Sequence, residues 1–234
     1  MKLTVASYNI HKAVGLDRRR DPDRILTILR EIDADVVALQ EADRRFGRRL
    51  AVLPREAIDA HTPYRPVAIS QRPDSIGWHG NALLVRRDID VADASIVPLP
   101  MLEPRGAIRA DLVFGSHRLR VVGMHLDLSG LRRRHQMRSV LSHLVDCGAH
   151  CPSVLMGDLN EWTQHGGCFR ELDEGWKLLN PGHSFPSRRP VAQLDRIITS
   201  RHWNVVETGV HHSTLAARAS DHLPVMARLE LPNF

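Results

Sequence analysis

Apolar and polar residues alternate from the start of the chain, which predicts a β-strand over residues 3–10. Asp21-Pro22 then supplies an N-cap and a first-turn proline, followed by apolar residues on one helical face: Ile25, Ile28, Leu29 and Ile32. A short apolar run at 35–39 predicts a buried strand that ends at Glu41. The first part of the chain is therefore predicted to form a strand–helix–strand unit.

The rest of the chain consists mainly of short β-rich runs separated by turn signals. They predict strands at 82–86, 96–99, 107–114, 119–125 and 153–156, and further strands near 194–199, 204–210 and 224–231. Gly115-Ser116 predicts a hairpin turn, residues 131–145 have helical periodicity, and residues 181–190 form a proline-rich loop. Hairpins and helices in two similar halves fit two packed sheets with helices outside, in an α/β or α+β fold.

Five short polar clusters stand at the ends of apolar runs: Ser7-Tyr8-Asn9, Leu39-Gln40-Glu41, Gly157-Asp158-Leu159-Asn160, Leu194-Asp195-Arg196 and Ser220-Asp221-His222. Such distant residues form one site only if the strands that carry them release their polar ends at the same rim. A single Asp or Asn after a strand is usually turn chemistry. Five such clusters together indicate a metal-dependent phosphodiesterase.

These motifs resemble the endonuclease/exonuclease/phosphatase superfamily, which includes DNase I-like nucleases, abasic-site endonucleases, neutral sphingomyelinases and inositol polyphosphate 5-phosphatases. The resemblance runs from Asn9 to His222, and its most specific pieces are Gly-Asp-Leu-Asn at 157–160 and Ser-Asp-His at 220–222. It implies a four-layer α/β/β/α sandwich, with two packed mixed sheets and outer helices. Because the motifs span the whole chain, we expect one domain over residues 1–234.

The resemblance implies a site for Mg²⁺ or Mn²⁺ at Glu41, with Asn9 and Asp221 as further ligands. Hard cations of this kind take carboxylate oxygens and keep several waters. By the same resemblance, Asp158 orients or deprotonates the attacking water and Asn160 hydrogen-bonds the phosphate. The two residues are two apart, so an extended backbone would point both side chains the same way.

A second pair is predicted between His222 and Asp195. A carboxylate on one ring nitrogen fixes the tautomer of a histidine and raises its basicity. The resemblance assigns this pair either as general base or as transition-state stabiliser, and the sequence does not choose between the two. His125, followed by Leu126, is typical of DNase I-like and sphingomyelinase-like members, where abasic-site endonucleases carry tyrosine. Its imidazole could protonate the leaving oxygen or bind a phosphoryl oxygen.

Several other positions match the family more loosely. Asn81 and Arg105 recur near the substrate phosphate, although both fit turn chemistry equally well. His11 stands where abasic-site endonucleases carry an aspartate, which puts a second metal in doubt. Ser184-Phe185-Pro186 resembles a segment that places an aromatic ring beside the site.

Composition adds information about cysteines and charge. Cys147, Cys151 and Cys168 are odd in number and lack metal-ligand spacing, so we expect free thiols. The formal charge is +5, and only Lys2, Lys12 and Lys177 among the 32 basic residues are lysines. Arginine grips phosphate with a rigid fork, although a genome-wide preference for arginine explains the count equally well. With no signal peptide and no run of about 18 apolar residues, we expect a cytoplasmic monomer without a transmembrane segment.

Three readings of function remain open at this stage. The broad one is a phosphodiesterase acting on a lipid head group, a small phosphoester or a nucleic acid. A pI near 9.6 favours a DNA or RNA nuclease, whereas the few aromatic residues disfavour base stacking. A catalytically inactive phosphate-binding module on the same fold is the third, but Glu41, Asp158 and His222 are all present.

Overall fold

Twelve strands and four helices form the structure, a computed structural model that describes residues 1–44, 50–69, 72, 74–100, 105–146 and 151–232. The strands are β1 (Lys2–Asn9), β2 (Val36–Gln40), β3 (Tyr64–Pro66), β4 (Ala82–Arg86), β5 (Asp90–Val97), β6 (Gly106–Phe114), β7 (His117–His125), β8 (Ser153–Asp158), β9 (Trp176–Leu178), β10 (Asp195–Ser200), β11 (Asn204–Val210) and β12 (Val225–Glu230). The helices are α1 (Pro22–Ile32), α2 (Arg55–His61), α3 (Gly130–Asp146) and α4 (Ala216–Ala219).

The strands build two six-stranded mixed sheets. The first has the order β11-β12-β1-β2-β4-β3 and the second the order β5-β6-β7-β8-β10-β9. Each sheet contains one parallel pair, β1 with β2 and β7 with β8, and all its other pairs are antiparallel. The parallel pairs are joined through α1 and α3, because a parallel connection needs a crossover.

Three apolar clusters separate four layers. Alternate residues of both sheets, such as Val5 and Val121, meet in the central cluster. The opposite face of the first sheet packs under α1, α2 and α4, and that of the second packs under α3. The central strands are buried on both faces, which explains their nearly continuous apolar runs. The predicted four-layer sandwich is confirmed.

Local signals in the sequence account for the elements that were predicted well. Asp21 caps α1 by accepting a hydrogen bond from the main-chain nitrogen of Arg24 at 3.3 Å. Gly115 has φ of +62° in the hairpin turn between β6 and β7. The strand predicted at 96–99 is misplaced, since β5 begins at Asp90 and ends at Val97. β5 is an edge strand in which only Val97 is buried, and Asp90, Asp93 and Ser95 interrupt its apolar residues, so its apolar signal is weak.

Other parts of the fold were not predicted. β3 and β9 have only three residues each, and α2 has seven, too few for a clear periodicity. Cys147 and the arginines of 45–49 lie outside the described residues. Cys151 and Cys168 are free thiols, as expected. Within the described ranges, no helix is both long and apolar enough to span a membrane.

The register of the strands brings the polar clusters to one edge. Asn9 pairs with Gln40 across β1 and β2, and Asp158 pairs with both His125 and Asp195 in the second sheet. Gly157 allows β8 to approach β7 closely, since a Cβ there would lie 1.8 Å from the carbonyl oxygen of Met124.

Candidate active site

Asp158 lies at the centre of the site, at the end of β8, with only 2% of the residue exposed. Its Oδ2 accepts a hydrogen bond from Nδ2 of Asn9 at 2.9 Å. The same oxygen lies 3.3 Å from Nε2 of His125 and 3.8 Å from Nε2 of His222. The carboxylate therefore joins side chains of both sheets.

His222 and Asp195 form the predicted pair. Nδ1 of His222 lies 2.8 Å from Oδ2 of Asp195, which also accepts a hydrogen bond from the Ser184 hydroxyl at 2.5 Å. The Phe185 ring packs against the imidazole, with centroids 4.8 Å apart. Asp195 is fully buried and His222 is 5% exposed, so the imidazole is held in one orientation with Nε2 near Asp158.

Burial and nearby charges shift the pKa values of Asp158 and His222 in opposite directions. Burial alone would raise the pKa of Asp158, but the imidazoles of His125 and His222 and the Asn9 hydrogen bond hold it well below its usual range. Burial alone would lower the pKa of His222, but the charge and hydrogen bond of Asp195, with the charges of Asp158 and Asp221, outweigh it and raise this pKa to about 10. Asp158 is thus ionised at neutral pH, and His222 carries a proton beside it.

Glu41 lies directly after β2 with φ of +55°, beside the turn at Gly80. Its carboxylate pairs with the ammonium of Lys12, and about a quarter of each side chain is exposed. Burial alone would raise the pKa of Glu41, but the Lys12 hydrogen bond and charge lower it below its usual range. Glu41 is therefore an ionised carboxylate, and it is already paired with one cationic side chain, the Lys12 ammonium.

Asn9 and Asp221 lie near each other at the end of the first sheet, where Asn9 pairs with Gln40, the residue before Glu41. The hydroxyl of Ser220 donates to the main-chain oxygen of Asn9 at 2.7 Å, which places Asp221 next to the end of β1. Oδ1 of Asp221 lies 3.8 Å from Nδ1 of His11, and 35% of its side chain is exposed. Among the described residues, Asn9 Oδ1 accepts a single hydrogen bond, from the main-chain nitrogen of His11 at 3.1 Å. This leaves lone-pair capacity on the Asn9 amide oxygen.

Arg105 and Asn81 lie close to His125. The Arg105 guanidinium contacts Nε2 of His125 directly. Asn81 donates through Nδ2 to the carbonyl oxygen of Trp78 at 3.3 Å, and its buried Oδ1 accepts no hydrogen bond from the described residues. A Cβ on Gly106, next to Arg105, would lie 3.5 Å from Nδ2 of Asn81. Both residues predicted to bind substrate are thus near His125.

Two donor sets could hold a cation. Asp158, Asp195 and His222 have ligand atoms within 4.8 Å of one another, but Oδ2 of Asp195 and Nδ1 of His222 are already hydrogen-bonded to each other. The oxygens of Glu41, Asp221 and Asn9 suit a hard cation better. The Glu41 and Asp221 side chains are 24% and 35% exposed, which leaves room for water ligands, and the ammonium on Glu41 shows that this carboxylate attracts positive charge. These residues therefore fit the predicted Mg²⁺ or Mn²⁺.

The structure corrects one detail and adds one residue. Asn160 has φ of +49° and its main-chain nitrogen donates to Asp158 Oδ1 at 3.0 Å, so the two residues form an Asx turn and not an extended pair. Its side-chain amide donates to the carbonyl oxygen of Leu126 at 3.0 Å. Lys12 was not predicted as a site residue, although it directly follows His11 and is one of only three lysines in the chain.

Comparison with solved structures agrees with the overall fold. The chain resembles an endonuclease/exonuclease/phosphatase from Bacteroides vulgatus, with TM-score 0.79 and 17% identity over 99% of this chain and 100% of that one. It also resembles Danio rerio TDP2 complexed with single strand DNA product, with TM-score 0.76 and 17% identity over 98% and 99% of the two chains. A Bacteroides thetaiotaomicron mannosyl-6-phosphatase matches with TM-score 0.75 and 20% identity, over 98% and 100%.

A search of curated proteins gives no significant match. The model of the Endonuclease/Exonuclease/phosphatase family matches residues 6–222, which include all five polar clusters. Members of this family hydrolyse phosphoester bonds. The chain belongs to the Endonuclease/Exonuclease/phosphatase family.

Proposed function

We propose that this protein is a metal-dependent phosphodiesterase that cleaves its substrate by in-line attack of water. The observation that carries the proposal is the buried Asp158 carboxylate with two imidazoles within 3.8 Å of one oxygen, one of them braced by Asp195. Such a cluster costs stability unless every charge is paired, so it is typical of a functional site.

The cation would be Mg²⁺ or Mn²⁺, held by Glu41 and Asp221 with the amide oxygen of Asn9, and would neutralise charge on the phosphoryl group. Asn9 also donates to Asp158 at 2.9 Å, so one side chain links the metal ligands to the catalytic carboxylate. This link supports a role for Asn9 in aligning the two halves of the site.

The remaining roles follow from position and charge. Asp158 is ionised and orients the attacking water by accepting its hydrogen bond. His222, held by Asp195, addresses a phosphoryl oxygen through Nε2, the nitrogen that does not face Asp195. His125 and Arg105 lie together on the other side of Asp158 and would bind a second phosphoryl oxygen or the leaving oxygen. Asn81 and Asn160 support these groups from the two adjoining loops.

The test is hydrolysis of bis(p-nitrophenyl) phosphate by the purified chain with Mn²⁺, with Mg²⁺ and with excess EDTA. We expect activity that requires the cation and falls by at least about a hundredfold in Asp158→Asn. Asp90→Asn, an exposed carboxylate at the start of β5, is the matched control. Full activity in EDTA, or equal losses in both variants, would contradict the proposal.

A nuclease is the second candidate. Basic residues exceed acidic ones, 32 to 27, and a structural neighbour is TDP2 complexed with single strand DNA product. A nuclease should lose affinity for DNA steeply as salt rises, by roughly one log unit per contacted phosphate for each tenfold increase. Cleavage of a small diester that persists at high salt would favour the broader phosphodiesterase proposal.

A further inference from the structure

Large apolar side chains are exposed on three loops around the catalytic cluster. They are Leu128 and Leu131 at the start of α3, Trp162 after β8, and Val191 before β10, with exposures of 61%, 66%, 64% and 63%. We call these four side chains the apolar rim. They are half of the large apolar residues exposed within the described ranges, the others being Leu16, Val145, Val205 and Val206.

Direct contacts join the rim to the site on one side. The Trp162 ring stands edge-on to Phe185, with centroids 6.3 Å apart, and Phe185 packs on His222. The main-chain nitrogen of Val191 donates to the carbonyl oxygen of Phe185 at 2.9 Å. Trp162 and Val191 are therefore both neighbours of Phe185, the residue whose ring packs on His222.

The other side of the rim is joined through Arg133. Its guanidinium donates to the carbonyl oxygen of Leu128 at 2.6 Å and to Oε2 of Glu161 at 3.3 Å. Glu161 directly precedes Trp162, so the loop of Leu128 lies against the loop of Trp162. The four rim residues thus belong to one surface and not to scattered positions.

The exposed charge on these loops has one sign. Asp127 and Glu161, their only acidic residues, are 6% and 2% exposed. Arg188 and Arg189 are exposed just before Val191, and Arg132 is partly exposed beside Leu131. None of these three arginines has a carboxylate within 4.0 Å among the described residues. The rim is therefore apolar at its centre and cationic at its border.

We propose that the apolar rim docks on the surface of an anionic lipid bilayer, with the border arginines at the head-group phosphates. Aliphatic side chains lower their free energy by entering the acyl region of a bilayer, and neighbouring cationic side chains are attracted electrostatically to anionic lipid head groups. A nucleic acid would use aromatic rings for stacking, and only Trp162 of the four rim residues could stack a base. Hydrolysis of a bilayer phospholipid would follow only if the proposed phosphodiesterase function holds, whereas docking does not depend on it.

Docking is measured without catalysis, by sedimentation of the full chain with vesicles of phosphatidylcholine and phosphatidylglycerol in excess EDTA. We expect binding to these vesicles, weaker binding to pure phosphatidylcholine, and a blue shift of tryptophan emission that is lost in Trp162→Phe. Leu131→Glu should weaken binding at least about tenfold, because one apolar side chain no longer enters the lipid.

Val145→Glu is the matched control, since Val145 lies at the far end of the same helix with the same 66% exposure as Leu131. It should bind vesicles like the unmodified chain. Hydrolysis of bis(p-nitrophenyl) phosphate by Leu131→Glu within about twofold of the unmodified chain, with an unchanged thermal melt, would show that its site is folded.

The outcomes separate docking from catalysis. Absence of vesicle binding, equal losses in Leu131→Glu and Val145→Glu, or tighter rim-dependent binding of single-stranded DNA would each overturn the bilayer proposal. Rim-dependent vesicle binding by a chain that hydrolyses no diester would support docking and refute the proposed phosphodiesterase function.

Discussion

Asp195 and His222 should act as one catalytic unit, and a double-mutant cycle tests this. Asp195 is fully buried and its Oδ2 lies 2.8 Å from Nδ1 of His222, so the carboxylate fixes which ring nitrogen faces Asp158. Asp195→Asn keeps the size of the side chain but removes its charge. His222→Ala removes the imidazole that Asp195 holds.

The magnitude follows from the usual contribution of a positioned acid–base group. Each single variant should lower kcat by about 10²–10⁴, or roughly 3–5 kcal/mol of transition-state stabilisation, with KM changed by a few-fold at most. Once His222 is absent, Asp195 has nothing to orient. The double variant should therefore be within about tenfold of the worse single variant, whereas independent residues would give multiplied losses.

The assay is steady-state hydrolysis of bis(p-nitrophenyl) phosphate, normalised to folded protein. Normalisation is needed because breaking a buried ion pair can cost about 3–5 kcal/mol of stability. Circular dichroism melts set the assay temperature below every transition. Multiplied losses in the double variant, or a raised KM with unchanged kcat, would show that the two residues do not work as a unit.

Three further predictions follow from contacts elsewhere. Glu41→Gln should weaken Mn²⁺ binding at least about tenfold by calorimetry, since it removes the charge that draws the cation. Lys12→Met should instead tighten Mn²⁺ binding roughly fivefold, because the Lys12 ammonium competes with the cation for Glu41 and an ion pair of this kind contributes about 1 kcal/mol. An unchanged or weaker Mn²⁺ affinity would argue against this competition. Gly157→Ala should lower the free energy of unfolding in urea by about 3 kcal/mol, because its Cβ meets the carbonyl oxygen of Met124, while Gly209→Ala, with open space around it, should not.

The sequence was sufficient to predict which strands meet at the site. Polar residues ended apolar runs, and the register of β8 with β10 then placed Asp195 opposite Asp158. In the same way, the register of the parallel strands β1 and β2 places Asn9 beside Gln40 where both strands end. In both cases a period of two along the strand and a buried face determine the position of the side chain.

The sequence was not sufficient where the chain leaves a strand. Lys12 lies in a 3-10 turn in which His11, Lys12 and Ala13 all have positive φ, and none of them is a glycine. Propensity disfavours that conformation, so the contact of Lys12 with Glu41 could not be expected from the local sequence. The extended geometry predicted for Asn160 was wrong for the same reason, because its left-handed backbone turns the residue out of the strand.

The two sheets supply different parts of the site. Asn9, Glu41, Asp221 and His222 come from the first sheet or the segments that adjoin it, and His125, Asp158 and Asp195 come from the second. Side-chain contacts cross between the sheets at this site, including Asn9 with Asp158 and His222 with both Asp195 and Asp158. Because misplacement by about 1 Å can cost a hundredfold in rate, the proposed mechanism makes the central apolar core govern catalysis as well as stability. In that mechanism the core sets how far the proposed cation ligands stand from Asp158, the carboxylate proposed to orient water.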